Sequence, residues 1–301
     1  MAVDANHQAF SSEAALGGIS IRDVRSDLRR PSFIAMDPPK HGAQRKTVSP
    51  IVSPSNLANM EPIIRERAAR ILDALPMRET FDWVDRVSIA LTTQMLATLF
   101  DFAFEERRKL TYWSDVATYF PTPGGLVETE DQKQAILRDC LNCFLGLWNQ
   151  RVNAEPSGDL ISMLARGEAT RNRTPDEYLG NIILLIVGGN DTNRNSISGG
   201  LYAFNQFPDQ YDKLRTDPGL VVSMAPEIIR WQTPLAHMRR TATTDIELGG
   251  KRIKKGDKVV MWYVSGNRDE AVIENPDAFV IDRERPRVWL RHSPLRRQPP
   301  S

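Results

Sequence analysis

The chain has 301 residues, 41% of them hydrophobic and 26% charged, with a formal net charge of +1. Such a chain buries a large core as one big domain or two smaller ones, and its near-neutral balance removes any whole-chain electrostatic case for nucleic acid or a membrane surface. It has neither an apolar N-terminal h-region nor a membrane-length apolar span, which predicts a cytoplasmic protein.

Residues 1–36 read as irregular, with arginine and aspartate mixed from Arg22 to Arg30, and a solvated loop is the expected state. In Asp37 to Pro54, DPPKHGAQRKTVSPIVSP, two prolines precede a helix that carries His41 and Arg45 four residues apart. That spacing puts an imidazole and a guanidinium on one face, where both could donate to an anion or simply lie exposed. Apolar residues at helical spacing over 57–75, 84–100, 104–118 and 130–153 predict a helical body. Pro121, Pro123, Gly124 and Gly125 mark a loop between two of these helices, a mobile lid if a pocket lies beneath. Cys140 and Cys143 fall in the last of these segments. With no second pair to complete a zinc site, they read as reduced helix residues.

The next stretch, YLGNIILLIVGGNDTNRN from Tyr178 to Asn195, organises the chain. Thr174, Pro175 and Glu177 stand at N-cap, first and third helical positions, a helix start near Pro175. Tyr178 to Val187 is apolar nearly all round, as in a helix buried through a domain centre. Gly188 and Gly189 each cost about 1 kcal/mol relative to alanine in a helix interior. They predict a break in the helix, explained by close approach of a flat ligand or by a loose turn. Asp191 and Thr192 follow at once, an acid beside an alcohol.

Pro208 to Thr216 reads as a short amphipathic helix, and Pro218 to Trp231 carries Glu227 and Arg230 on one helix face, with Ile228 and Ile229 expected on the buried sides. Taken alone, that pair is a surface ion pair or a buried one with further partners. From Thr241 the pattern changes to strands and turns around Gly249, Gly250 and Gly256, followed by PDAFVIDR ending at Arg283. The fold class is mainly α with a small β region, α+β, near the C-terminal end.

Together these segments resemble the cytochrome P450 family. GGNDT at Gly188 to Thr192 is similar to its oxygen-activation stretch, Glu227 with Arg230 to its E-x-x-R pair, and Pro276 to Arg283 to its P-x-x-F-x-x-x-R segment. DPPKHGAQR resembles its haem-propionate segment, and Arg240 stands at another propionate-binding position. All five occur in the family's order. The wording EIIRWQTPLAHMRR and KGDKVVMWYVSGNRDE looks closest to the bacterial branch that hydroxylates the terminal carbon of medium-chain alkanes and related aliphatics.

The resemblance implies haem b as cofactor, with O2, a small apolar substrate, and electrons from a ferredoxin and its reductase. It implies that Asp191 and Thr192 serve O–O bond cleavage and proton delivery, and that Gly188 and Gly189 let the backbone approach the porphyrin. His41, Arg45 and Arg240 would neutralise the propionates. Glu227, Arg230 and Arg283 would form a buried structural network, one carboxylate shared by two guanidiniums. The segment from Glu13 to Ser32, the loop from Pro121 to Val127, Leu184 and Val187 would wall the substrate pocket.

The family also needs a cysteine thiolate after the position of Arg283, and the sequence has none there; a chain without it would be a non-catalytic fragment. The partial family domain is expected over 1–287, incomplete at both ends and cut before the haem-cysteine loop, with a frameshifted tail over 288–301. Back-translating Val288 to Pro300 with suitable codons and moving the frame by one nucleotide yields FGFGIHRCVGNR, the family's haem-ligand pattern, with the cysteine codon straddling Leu295 and Arg296. Resequencing the coding DNA tests this: a continued absence of an in-frame cysteine codon there refutes it.

Overall fold

The computed structural model describes residues 2–155 and 157–284. The expected tail over 288–301 lies outside the described residues. The chain divides into two compact units, one made of Glu13–Ala15 and Val24–Asp191, the other of the remaining described residues.

The first unit is helical. Helix α1 (Lys40–Val48) carries His41 and Arg45, as their spacing predicts. Next, α2 (Pro54–Asp73) starts at Ser53, whose hydroxyl accepts from the Asn56 amide at 3.3 Å. A π-helical stretch over Val84–Ile89 runs into α3 (Ala90–Phe100). Then come α4 (Arg108–Thr118), α5 (Glu130–Arg151) and α6 (Leu160–Arg166). The long helix α7 (Pro175–Gln206) begins in this unit. Thr174 and Glu177 cap it reciprocally: the Thr174 amide donates to Glu177 Oε2, and the Glu177 amide to Thr174 Oγ1, both at 3.3 Å. Those bonds satisfy two donors that a helix start leaves open.

The core of this unit gathers Leu96, Phe100, Leu110, Trp113, Phe144, Ile182 and Ile186, all buried. Phe144 anchors it, with ring centres 5.3 Å from Phe100, 5.7 Å from Phe102 and 5.9 Å from Trp113. Each such side chain, fully buried, stabilises by about 1.5–3 kcal/mol before entropy is counted. Helix α7 contributes Tyr178, Leu179, Ile182 and Ile186, a stripe at helical spacing.

Two expectations are corrected here. Helix α7 does not break at Gly188 and Gly189 but runs unbroken through both. Packing of the preceding turns outweighs a propensity cost of about 2 kcal/mol for the pair. The loop after α4 carries bonds of its own: the Thr122 amide donates to the Val127 carbonyl at 3.0 Å, the Gly124 amide to Glu128 Oε1 at 3.1 Å, and Val127 is buried. Residues 1–36 are not uniformly irregular, since they hold a short strand and 3-10 turns at Ala14–Leu16, Ser26–Leu28 and Phe33–Ala35.

That strand, β1 (Phe10–Ser11), belongs to the second unit. Helices α8 (Pro208–Thr216) and α9 (Val221–Gln232) follow the end of α7. The sheet residues are β2 (His237–Ala242), β3 (Ile246–Leu248), β4 (Lys251–Ile253) and β5 (Lys258–Trp262), before a single turn, α10 (Tyr263–Gly266). Strand β2 is central, antiparallel to β1 on one side and β5 on the other, with Phe10 opposite Ala242 and Arg240 opposite Val259. The β3–β4 hairpin turns on Gly249 and Gly250 at φ +57° and +72°, a two-residue turn that suits glycine. The α-rich architecture with its small β part is thus the one that the sequence patterns predict.

Candidate functional site

Asp191 and Thr192 occupy consecutive positions of α7, at the division between the two units. In the first unit, Asp191 Oδ1 accepts from Ser114 Oγ of α4 at 3.1 Å and from Asn190 Nδ2 at 3.4 Å. Asn190 is buried, and its Oδ1 accepts from Thr92 Oγ1 of α3 at 3.0 Å. In the second unit, the Thr192 carbonyl accepts from Ser196 Oγ, four residues and about one turn further along the helix, at 2.8 Å. Ser114, Asn190 and Thr92 were not singled out from the sequence. The available signal was a serine among Leu110, Trp113 and Val116, a hydroxyl on the apolar face of an amphipathic helix.

The paired glycines do different work. A Cβ at Gly188 would meet nothing within 4 Å, whereas one at Gly189 would lie 2.6 Å from Leu96 Cδ2. Close approach at Gly189 is therefore to α3, and open space lies at Gly188.

The cationic residues are described within their own units. In the first, His41 Nδ1 lies 2.6 Å from the Phe33 carbonyl oxygen. A carbonyl only accepts, so Nδ1 carries the proton, and Nε2 can donate only when the ring is an imidazolium. Burial disfavours the charge of Arg45 and pushes its pKa down, but a guanidinium stays protonated at any working pH. In the second unit, Arg240 donates from Nη1 to the Arg239 carbonyl at 2.8 Å and from Nη2 to Asp4 Oδ1 at 2.7 Å.

Glu227 and Arg230 are fully buried, 0% exposed. This corrects the expected placement: Ile228 and Ile229 are only partly buried, and the charged pair takes the most enclosed positions of α9. Partners explain the inversion. Glu227 accepts from Arg230 Nε at 2.8 Å, Arg230 Nη2 at 2.7 Å, Arg283 Nε at 3.2 Å and the Val280 amide at 2.9 Å. Arg230 also donates to the carbonyls of Asn267, Pro276 and Ala278 at 2.6–2.8 Å. One carboxylate thus joins two guanidiniums and ties α9 to the segment 267–283.

The cysteines of α5 stand apart from all of this. Burial pushes the Cys140 thiol far above its ordinary value and raises that of Cys143 as well. Both stay protonated and are poor metal ligands. Among the described residues no three His, Cys, Asp or Glu side chains gather to hold a metal ion.

The residues of each unit, taken separately, are compatible with the haem that the sequence resemblance implies. In the first, Gly188 leaves open space beside the helix backbone; in the second, one nitrogen of the Arg240 guanidinium, Nη2, pairs with a carboxylate, that of Asp4, the same group as a propionate. The thiolate ligand is not among the described residues: the sequence has two cysteines, both on α5.

Among curated proteins, the chain is 37% identical over 252 residues to a linalool 8-monooxygenase of Pseudomonas putida, covering 83% of this chain and 62% of the relative. It is 32% identical over 273 residues to a methyl-branched lipid omega-hydroxylase of Mycobacterium tuberculosis, covering 88% and 63%. The chain therefore spans less than two thirds of the length of these relatives. Among solved structures, cytochrome P450-153 from Novosphingobium aromaticivorans superposes with a TM-score of 0.86 at 47% identity, covering 94% of this chain and 71% of that one. CYP153D17 from Sphingomonas sp. PAMC 26605 gives a TM-score of 0.84 at 49% identity, covering 94% and 70%. The family model for cytochrome P450 matches residues 22–287. The chain belongs to the cytochrome P450 family.

Proposed function

We propose that the protein from which this chain derives is a haem-dependent monooxygenase that hydroxylates the terminal carbon of medium-chain alkanes or fatty acids, in the cytoplasm, with electrons from a ferredoxin and its reductase. The observation that carries the reading is the acid–alcohol pair, Asp191 and Thr192, with the carboxylate of Asp191 held by Ser114 and Asn190 beside the open flank of Gly188. The relatives' names speak of monooxygenation and of omega-hydroxylation of a lipid, which supports an aliphatic substrate. The wording of the α9–β2 and β5 segments supports the alkane branch.

When bound, haem supplies the activation of O2. The residues of this chain would hold and serve it. His41, Arg45 and Arg240 would bind the propionates by charge-assisted hydrogen bonds, His41 in its imidazolium form and Arg240 by sharing or exchanging Asp4. Gly188 would present helix backbone to the flat ring, while Gly189 lets α7 approach Leu96 of α3. Asp191 would take up and release a proton at its carboxylate, and the Thr192 hydroxyl would hold water or the oxygen substrate by a hydrogen bond. Leu184 and Val187 would exclude water from the substrate. Glu227, Arg230 and Arg283 would brace the fold without touching substrate.

A second reading applies to the chain as given: both cysteines lie on α5, so this polypeptide would be non-catalytic. A reduced carbon-monoxide difference spectrum separates the two. A Soret band in the thiolate position from the chain as given overturns the second reading. A frame-corrected protein that gives the band but oxidises no medium-chain alkane or fatty acid overturns the substrate class.

A further inference from the structure

The Thr92, Asn190, Asp191 and Ser114 side chains form one hydrogen-bonded row across three helices, α3, α7 and α4. Thr92, Asn190 and Ser114 are all buried, so each donor and acceptor in the row needs a protein partner. The direction of every bond is constrained. A carboxylate only accepts, so Asn190 must face Asp191 with Nδ2, and its Oδ1 must then face Thr92. Thr92 has a single hydroxyl proton and three acceptors within reach: Asn190 Oδ1 at 3.0 Å, the Ser88 carbonyl at 3.0 Å and the Ile89 carbonyl at 3.3 Å.

We propose that Ser114 and the Thr92–Asn190 pair are positioning residues for Asp191, and that the Asn190 amide turns over when Asp191 changes protonation state. With Asp191 ionised, Thr92 donates to Asn190 Oδ1, and Asn190 Nδ2 and Ser114 Oγ donate to Asp191. When Asp191 takes a proton, its new O–H donates to Asn190 Oδ1 after the amide turns. Asn190 Nδ2 then donates to Thr92 Oγ1, and the Thr92 proton moves by rotation to the Ser88 carbonyl. The only proton gained is the one on Asp191; every buried group stays bonded in both states. The alternative acceptors at the Ser88 and Ile89 carbonyls make this possible, because without them the Thr92 proton would point at the NH2 of the turned amide. Charged residues adjoining the row along its own helices are Asp115, beside Ser114 on α4, and Arg194, three residues after Asp191 on α7; α3 carries none between Ala90 and Phe100.

That this row serves proton delivery rests on the reading of Asp191 under Proposed function. The row itself is tested on the full chain without cofactor, so its failure and the failure of haem loading are separate results. Aspartate labelled with 13C at the carboxyl is followed by NMR as pH is lowered, with Asp191→Asn identifying the Asp191 signal. Removing one donor to the ionised form with Ser114→Ala is expected to raise the Asp191 midpoint by about 0.5–1 pH unit, and Ser114→Thr to restore it. Thr92 is linked to Asp191 through Asn190, and Thr92→Val is expected to raise the same midpoint by about 0.3–0.5 unit through the loosened amide, and to move the Asn190 side-chain amide signals. Circular dichroism confirms that each variant is folded. An unmoved Asp191 midpoint in folded Ser114→Ala overturns the positioning role. An unmoved midpoint together with unmoved Asn190 signals in folded Thr92→Val overturns the coupled amide.

Discussion

Replacing Glu227 by glutamine tests the buried charge network most directly. The side chain keeps its shape but loses its charge, and one of its two ends becomes an amide that can only donate. In the native chain each end accepts from two donors: Oε2 from Arg230 Nε and Arg283 Nε at 2.8 and 3.2 Å, Oε1 from Arg230 Nη2 and the Val280 backbone amide at 2.7 and 2.9 Å. Whichever end becomes NH2 meets two donors head-on. The lost charge-assisted bonds are worth about 1.5–3 kcal/mol each, but they share partners and do not add. Arg230 stays wholly buried with its charge no longer balanced. Breaking a buried pair in this way costs about 3–5 kcal/mol, a third or more of a typical domain's stability. Urea unfolding of the purified chain, followed by circular dichroism and by tryptophan fluorescence, measures it. With a slope of about 3 kcal/mol per molar urea, the midpoint should fall by about 1–1.7 M. The control is Arg65→Ala, which removes an exposed pair with Glu61 and should change stability by less than about 0.5 kcal/mol. A Glu227→Gln loss no larger than that control would refute the assignment of a desolvated network.

The two glycines of α7 should separate in the same assay. Gly188→Ala enters open space and should stabilise the chain by about 0.5–1 kcal/mol through helix propensity, while weakening haem uptake measured by absorbance titration. Gly189→Ala places a methyl against Leu96 and should destabilise by about 1 kcal/mol, the overpacking exceeding the propensity gain. Asp159 caps α6, and although burial opposes its charge, bonds from Ser157 and Ser162 and the nearby Arg151 guanidinium hold its carboxyl below the usual range. A depressed folded value means that its stabilisation is complete above the ordinary carboxylate pKa of about 4 and is lost as pH falls through the lower folded value. Asp159→Ala should therefore cost about 1 kcal/mol at neutral pH, and a stability difference from wild type that does not shrink in acid would contradict this. Thiol titration of the folded chain should leave Cys140 unmodified until urea is added; rapid labelling in the native state would contradict its protonated, buried placement.

What the sequence determined by itself was whatever depends on short spacing. Helical periodicity placed the helices, Thr174 with Glu177 placed the start of α7, and Gly249–Gly250 placed the β3–β4 turn, because backbone geometry ties each of these to residues a few positions apart. The same local spacing placed His41 with Arg45 and Glu227 with Arg230 on shared helix faces. Tertiary structure decided which faces are buried. The Glu227–Arg230 pair lies deeper than Ile228 and Ile229 because acceptors and donors from residues 267–283 satisfy it, and no local pattern carries that information. Helix α7 runs through Gly188 and Gly189 because the packing of its preceding turns outweighs their propensity cost, and the second of them lies against Leu96, far away in sequence. Ser114 and Thr92 reach the neighbourhood of Asp191 only through the packing of α4 and α3 on α7, so residues that looked like lapses in an apolar stripe became the partners of the acid.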